Sequence, residues 1–295
     1  MAVETRARNL IITDARDAFI YRRYVKDEES SIARPTKALW EKQGLLVTPS
    51  TVELALKTGT VPPEWEGPWN RMTREFVRDD ITSGWIKSIS TAGDRIAKKV
   101  NRLQRKQFDF DSTMTAIKAW LDNEGGKLIV NLTAAQMSSV HALLQAQIAL
   151  GVTSPYILAQ RIKPMVGLTE REAAAVAKFI ASLTEEGAAA NAINKQATKY
   201  AKYLHKNRAA RIAQTEISNA YNFGQMNSMR QAVEAGELPG APEKDWLAGG
   251  PNPCEICEEN EAAGPIALDA VFPSGDEHPT AHPSCACAVS YSVRR

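Results

Sequence analysis

The residues best suited to chemistry are cysteines and histidines near the end of the chain. A C-x-x-C pair, Cys254 and Cys257, precedes His282, Cys285 and Cys287. A C-x-x-C turn brings two sulfur atoms to one side, which suits the tetrahedral ligand shell of zinc. The sequence has neither an apolar run as long as a membrane-spanning helix nor a signal-peptide core, so we expect a protein made in the cytoplasm without a membrane partner. A reducing compartment disfavours disulfides and favours a metal.

More donors are available than the four that a structural zinc site needs. The first predicted set takes two donors from each half of the motif: Cys254, Cys257, His282 and Cys285. Cys287 in place of His282 makes an all-cysteine set, and His278 is a spare donor. Disulfides, packed free thiols and a catalytic metal are the alternatives to a structural zinc. The sequence has no H-E-x-x-H motif, and no H-x-E paired with P-C-x-x-C, which favours a closed structural site over an enzyme.

The segment around this motif differs in composition from the rest of the chain. Residues 234–278 contain eleven acids and one base, whereas residues 1–233 carry a net charge of +10. Eight prolines fall between Pro239 and Pro283, against two between Pro68 and Pro239. Proline breaks helix interiors, so the acidic segment must consist of turns and short extended pieces. Such a segment builds little apolar core and needs a staple, which a metal supplies.

The 295 residues have an ordinary globular composition, with 44% hydrophobic residues, 24% charged residues and a net charge of +2. These values exclude wholesale disorder and fibrous architecture. We predict a mainly α protein: an elongated helical body with a small irregular α+β C-terminal module stapled by the Cys/His metal site. The predicted regions are 1–128, a helical region of unknown role; 129–238, a helical core; and 239–295, the Pro-rich Cys/His module.

Apolar periodicity and capping residues predict most of the helices. The predicted helices cover residues 5–27, 64 to about 106, a segment after Asp111 or Ser112, a segment after Thr133, a segment from Pro155, a segment after Thr169, and one or two long helices over 189–235. Thr169 and Glu172 fit a capping box. Prolines 35, 49, 62 and 63 predict loops over 28–62, and residues 127–132 read as a short strand or turn.

One long helix carries an unusual polar stripe. Arg211, Thr215, Asn219 and Asn222 share a face, and Glu216 lies beside it. Short amides and a hydroxyl are not typical of a solvated face, and a proline-rich tail has many backbone groups that need partners. We therefore predict that this helix docks the C-terminal module. A catalytic role for Glu216 is the less favoured alternative.

A second stripe on the same helix is basic. Lys195, Lys199, Lys202 and Lys206 are spaced four, three and four residues apart, so they lie within about 60° of one helix face. A solvated face, a docking surface for an acidic protein and an anion or DNA contact are the three interpretations.

The order of motifs resembles that of one protein family. The motifs are G-L-T-E-R-E at 167–172, R-A-A-R-I-A-Q-T-E at 208–216, A-Y-N-F-G at 220–224, K-D-W at 244–246, C-E-I-C at 254–257 and H-P-S-C-A-C at 282–287. This looks like the phage Mu F-like head morphogenesis family, the minor head proteins of tailed phages. The resemblance covers about residues 130–290. The family usually has arginine between the last two cysteines, where this chain has Ala286.

The resemblance implies a non-enzymatic virion component that acts in capsid assembly. The expected partners are the portal protein, the scaffold or the major capsid protein, with double-stranded phage DNA as a further partner. The expected location is the head interior or portal vertex, after assembly in the host cytoplasm. Two alternatives are a DNA-binding head protein that acts in packaging or ejection, and a zinc-dependent hydrolase.

Overall fold

The protein is mainly helical, with a small antiparallel sheet near the C-terminus. The computed structural model describes residues 10–58, 62–105, 107–123, 132–149, 151–152, 154–250 and 252–294. The chain forms two compact units: unit 1 comprises residues 1–30, 82–125 and 213–295, and unit 2 comprises residues 31–81 and 126–212. The predicted mainly α fold class is confirmed.

Ten α-helices are present in the described part of the chain. They are α1 (Ala15–Gly44), α2 (Pro49–Thr58), α3 (Pro63–Phe76), α4 (Thr82–Gln104), α5 (Thr115–Asn123), α6 (Leu132–Ala149), α7 (Pro155–Ile162), α8 (Glu170–Glu185), α9 (Ala190–Glu234) and α10 (Glu255–Ala262). A π-helical segment, Val77–Ile81, joins α3 to α4, and a 3-10 turn, Lys163–Met165, follows α7. Pro49, Pro63 and Pro155 each stand at the first position of a helix, where the missing N–H has no intrahelical partner to lose.

Four strands form one sheet in unit 1. They are β1 (Leu10–Ile11), β2 (Pro242–Leu247), β3 (Ile266–Ala267) and β4 (Ala288–Val293), in the order β1-β4-β2-β3 with antiparallel pairing throughout. Alternate residues of β4 face inward, and Tyr291 is buried opposite Lys244 of β2. The sheet places the chain segments on either side of β2 and β4 next to each other. These segments carry the cysteines.

Unit 2 is held together by apolar side chains from several helices. One cluster contains Trp65 and Trp69, both fully buried, whose rings stack with centroids 5.8 Å apart. The indole of Trp69 donates to the Gln43 carbonyl over 3.0 Å, so its polar atom is satisfied as well. A second cluster packs α8 against α9 through Val176, Ile180 and other buried residues. Burial of these large groups accounts for the stability of unit 2.

Several helix predictions are confirmed, and both boundaries of the first helix are wrong. Thr169 and Glu172 form the predicted capping box at the start of α8, and α9 is a single helix over the predicted 189–235 region. Among the described residues the first helix begins at Ala15, and Leu10–Ile11, which the prediction of a helix over residues 5–27 included, belongs to the sheet. The helix continues through Pro35, which was expected to force a loop. Residues 32, 39 and 40 on either side are buried, so tertiary packing holds the helix across the proline.

The two units divide the chain differently from the three predicted regions. N-terminal residues 10–30 and α4 belong to the same unit as the C-terminal module, so composition along the chain does not show which segments pack together. The predicted strand or turn at 127–131 lies outside the described residues. Among the described residues, no helix is long and apolar enough to cross a membrane.

Candidate metal centre

Two short segments of the C-terminal module present the predicted donors. Cys254 is the N-cap residue of α10, and Cys257 lies one turn further along that helix. His282, Cys285 and Cys287 lie in the loop that leads into β4. Since β4 pairs with β2 and α10 follows β2, the sheet brings the two segments together.

The donor atoms lie close together in two groups that share one cysteine. The His282 Nε2 atom lies 3.1 Å from the Cys254 Sγ and 3.3 Å from the Cys257 Sγ, and the Cys257 and Cys285 sulfurs are 3.8 Å apart. Cys257 also forms a second group with Cys285 and Cys287, and within each group all donor atoms lie within 4.8 Å. Neighbouring thiolates around a tetrahedral zinc with bonds of about 2.3 Å are about 3.8 Å apart. The cluster can therefore hold a metal ion.

The two groups together contain all four donors of the first predicted set, and they contain Cys287 as well. The spare donor His278 belongs to neither group. Its Nδ1 lies 2.6 Å from the Pro279 carbonyl, and its ring packs 6.2 Å from that of Phe223. All four cysteines are free thiols, which leaves each sulfur available as a ligand.

The His282 ring is oriented for metal binding through Nε2. Its Nδ1 lies 3.0 Å from the Pro283 carbonyl, which can only accept a hydrogen bond, so Nδ1 carries the proton. The Nε2 lone pair then faces the cysteine sulfurs. This bond is the main reason why the pKa of His282 is raised. A backbone carbonyl that fixes the tautomer in this way is the usual second-shell partner of a ligand histidine.

Hydrogen bonds to sulfur favour the thiolate form at two positions. The backbone N–H of Cys257 is the main cause that lowers the pKa of Cys254. A hydrogen bond from Cys285 does most to lower the pKa of Cys287 to about 5, with further contributions from the backbone N–H of Gly249 and the indole of Trp246. The Trp246 Nε1 is buried without a regular hydrogen-bond partner, which fits a donor placed beside a sulfur atom. Thiolates are the form of cysteine that binds metal.

The other two sulfurs are protonated in the absence of a metal. Burial raises the pKa of Cys257 to about 12. The hydrogen bond that Cys285 donates to Cys287 raises its own pKa. A divalent cation would displace these protons, because a coordinating thiol loses its proton to the metal.

Few apolar side chains surround the cluster. Its buried core consists of Trp246, Phe272 and the three inner cysteines. Gly249 lies so close to the loop before β4 that a Cβ there would meet the Ala286 carbonyl, and this close approach brings its N–H to Cys287. The cysteines are thus a large part of this apolar cluster.

Thr215 of the predicted docking helix contacts the metal loop. The Thr215 hydroxyl accepts a hydrogen bond of 2.9 Å from the Ser284 N–H, directly beside Cys285. Buried Glu216 instead accepts from the indole of Trp85 over 3.0 Å. The side-chain amide of Asn222 is buried, and it donates to the Ser218 carbonyl over 3.0 Å and to the Tyr21 hydroxyl over 3.4 Å. Arg211 pairs with Glu172 in unit 2 at 2.6 Å, and Asn219 is half-buried.

Other residues that hold the module were not predicted. Arg230 of α9 forms ion pairs with Asp269 at 3.0 Å and Glu277 at 2.8 Å. Arg22 of α1 donates to the Ala286 carbonyl over 3.2 Å. The excess of acids in the tail was a signal for a basic partner, but the partner arginine was not identifiable because arginines occur throughout residues 1–233.

The four predicted lysines lie on an exposed face of unit 2. Lys195, Lys199 and Lys202 line one surface cavity with Lys163, while Lys202 and Lys206 line a neighbouring cavity with Lys37 and Lys163. Neither Lys37 nor Lys163 belongs to the sequence stripe. Helix packing therefore adds two charges that periodicity along one helix did not reveal.

Comparison of the chain with models of protein families, with curated proteins and with solved structures finds no match in any of the three.

Proposed function

We propose that this protein is a minor head protein of a tailed phage, similar to the phage Mu F-like head morphogenesis proteins. Its C-terminal module would be a structural part stapled by zinc. One observation carries the proposal: the two motifs C-E-I-C and H-P-S-C-A-C converge on one cluster, and the helix with the I-A-Q-T-E motif holds the second of them through Thr215. Three of the motifs that carry the resemblance thus lie in contact with one another.

Zinc is the metal that best fits the donors. Four sulfurs and one imidazole are soft or borderline ligands, whereas magnesium and calcium require oxygen. The donor distances suit a tetrahedral shell, which zinc adopts in structural sites. Five protein donors are more than four coordination positions, so water need not complete the shell. This surplus favours a structural role over the hydrolase alternative.

The expected partners are the portal protein, the scaffold and the major capsid protein. A pull-down with the full-length zinc-loaded protein against each partner from the same phage tests this. Portal retention is the expected result, and Cys257→Ser should abolish it by unfolding the module. Ser284→Ala is the matched control, because the exposed hydroxyl of Ser284 lies outside the donor cluster while its backbone N–H keeps the bond to Thr215.

A phage that carries an amber codon in this gene supplies the second arm of the test. We expect heads that lack the protein to be defective in assembly or infection. Normal, infectious particles without the protein would contradict the proposal. So would a folded Cys257→Ser protein that has lost a turnover measurable in the wild type, because that result identifies a zinc enzyme.

A further inference from the structure

Six lysines of unit 2 form an exposed surface without neutralising partners. We define this lysine surface as Lys37, Lys163, Lys195, Lys199, Lys202 and Lys206. None of the six takes part in an ion pair or side-chain hydrogen bond with the residues that the structure describes. Other lysines do: Lys57 pairs with Glu53 at 2.6 Å, and Lys87 with Glu28 at 2.8 Å. The lysine surface thus holds a concentrated and uncompensated positive charge.

The lysine surface is also concave. Two cavities, about 610 and 370 Å³ in volume, share Lys163 and Lys202 and so form a continuous depression. Glu41 is the one acid in their walls. Arg208 lies buried behind the wall, with its guanidinium 5.4 Å from the centre of the Trp40 ring. Low-dielectric walls of one charge sign concentrate the potential inside such a depression.

The same chain carries an exposed acidic helix face. Glu255, Glu258 and Glu259 lie at offsets of zero, three and four residues on α10, and all three are exposed. Their side chains make no ion pair or hydrogen bond with the described residues, in contrast to Asp269 and Glu277, which pair with Arg230. This acidic face of α10 is therefore opposite in charge to the lysine surface. Like the lysine stripe of α9, it is a row of side chains along one helix.

Each of the two faces is bordered by an exposed apolar group. Tyr203 lies next to the lysine stripe and is 60% exposed, and Ile256 lies next to the acidic stripe and is 44% exposed. The phosphate backbone of a DNA duplex offers no apolar partner for Tyr203, whereas a helix of protein does.

We propose that the lysine surface of one copy binds the acidic face of α10 of a second copy. The interaction joins unit 2 of one molecule to unit 1 of the next, so it is heterologous and can extend from copy to copy or close into a ring. The charges set orientation and association rate, and the contact between Tyr203 and Ile256 adds buried apolar area. This inference is independent of the proposed role in the phage head.

Sedimentation velocity of the full-length zinc-loaded protein over a range of concentrations tests the proposal. We expect reversible association at low ionic strength that weakens as salt is added, because exposed charge pairs are screened. Lys199→Glu/Lys202→Glu should raise the dissociation constant by about tenfold or more, and Glu258→Lys/Glu259→Lys should do the same. Lys178→Glu and Glu185→Lys reverse exposed charges outside both faces and serve as matched controls.

An equimolar mixture of the two reversed variants decides between specific pairing and general repulsion. Within either variant alone, the reversed face repels its partner face. In the mixture, the unaltered acidic face of the lysine-reversed variant meets the unaltered lysine surface of the acid-reversed variant, and the two reversed faces also attract each other, so association should return. Zinc content and circular dichroism show that the variants are folded. A wild-type protein that is monomeric at every concentration in low salt would overturn the proposal.

Failure of the mixture to associate would also overturn the proposal.

A 20-base-pair DNA duplex serves as the competing probe. If Lys199→Glu/Lys202→Glu abolishes salt-sensitive binding of the duplex and leaves self-association unchanged, the lysine surface is a nucleic-acid surface and the proposal is wrong.

Discussion

The C-terminal module and unit 2 are stabilised in different ways. Unit 2 buries eleven residues in one apolar cluster and eleven in a second. The apolar cluster at the donors contains five buried residues, three of which are cysteines. The module also buries Leu268, Val289, Tyr291 and Val293, but around the donors cysteine side chains take the positions that leucine and isoleucine fill in a helical core. We therefore expect the module to depend on a metal ion, which the cluster can hold, and unit 2 to depend on packing.

Removal of the metal should have the largest effect, and it should be confined to unit 1. Cys257 belongs to both donor groups, so Cys257→Ser removes a ligand from either candidate shell. Binding of a structural zinc contributes on the order of 10 kcal/mol of folding free energy at neutral pH. We expect Cys257→Ser or a chelator to abolish zinc binding and the protection of β2 and β4 amides against hydrogen exchange. Amides of α8 should stay protected.

This prediction has a direct internal check. Metal content and hydrogen exchange are measured on the same sample, so loss of protection can be compared with loss of zinc. Retention of slow exchange in β2 and β4 after complete removal of the metal would show that the module is held by packing after all.

Truncation of a large buried side chain in unit 2 should lower the stability of unit 2 whether or not a metal is bound. Trp69 is fully buried, and Trp69→Ala leaves a cavity and removes the hydrogen bond to Gln43. Truncation of a buried tryptophan typically costs about 3–5 kcal/mol. Denaturant unfolding, followed by hydrogen exchange of α8 and α3, should show this loss with and without a chelator.

The contrast between the two regions is wrong if truncation of Trp69 changes the affinity of the donor cluster for zinc. Zinc affinity of Trp69→Ala, measured by competition with a chromophoric chelator, should equal that of the wild type. A weakened affinity would mean that packing in unit 2 and the donor cluster form one cooperative system.

The smallest effect should come from the link between α9 and the metal loop. Thr215→Val keeps the shape of the side chain but removes the acceptor for the Ser284 N–H. A buried N–H without a partner costs about 1–3 kcal/mol. We expect zinc affinity to fall several-fold in the same competition assay, while Thr198→Val, on the lysine face of α9, should have no effect. Equal affinities for Thr215→Val and the wild type would show that the loop is positioned without α9.

Local patterns predicted much of the structure. Residue types in the C-terminal motif identified the five donors that converge, because a C-x-x-C turn and a second short motif each bring their side chains together through nearby backbone. Capping residues located the start of α8, and uninterrupted helical periodicity identified α9. These features depend on interactions between residues a few positions apart.

The pairings between distant segments were decided by the tertiary structure. Leu10 and Ile11 pair with β4, although two residues carry no strand periodicity that could be detected. Pro35 lies within α1 because buried neighbours outweigh the local preference for a break. Arg230 holds Asp269 and Glu277, and Lys37 and Lys163 join the lysine stripe.

The sequence by itself determined which residues can bind a metal and where helices such as α8 and α9 lie, since both follow from residue type and short spacing. The tertiary structure decided which surfaces those residues share, since this depends on contacts between segments far apart in the chain, such as the hydrogen bond from the Tyr291 N–H to the Thr13 hydroxyl, 278 positions away.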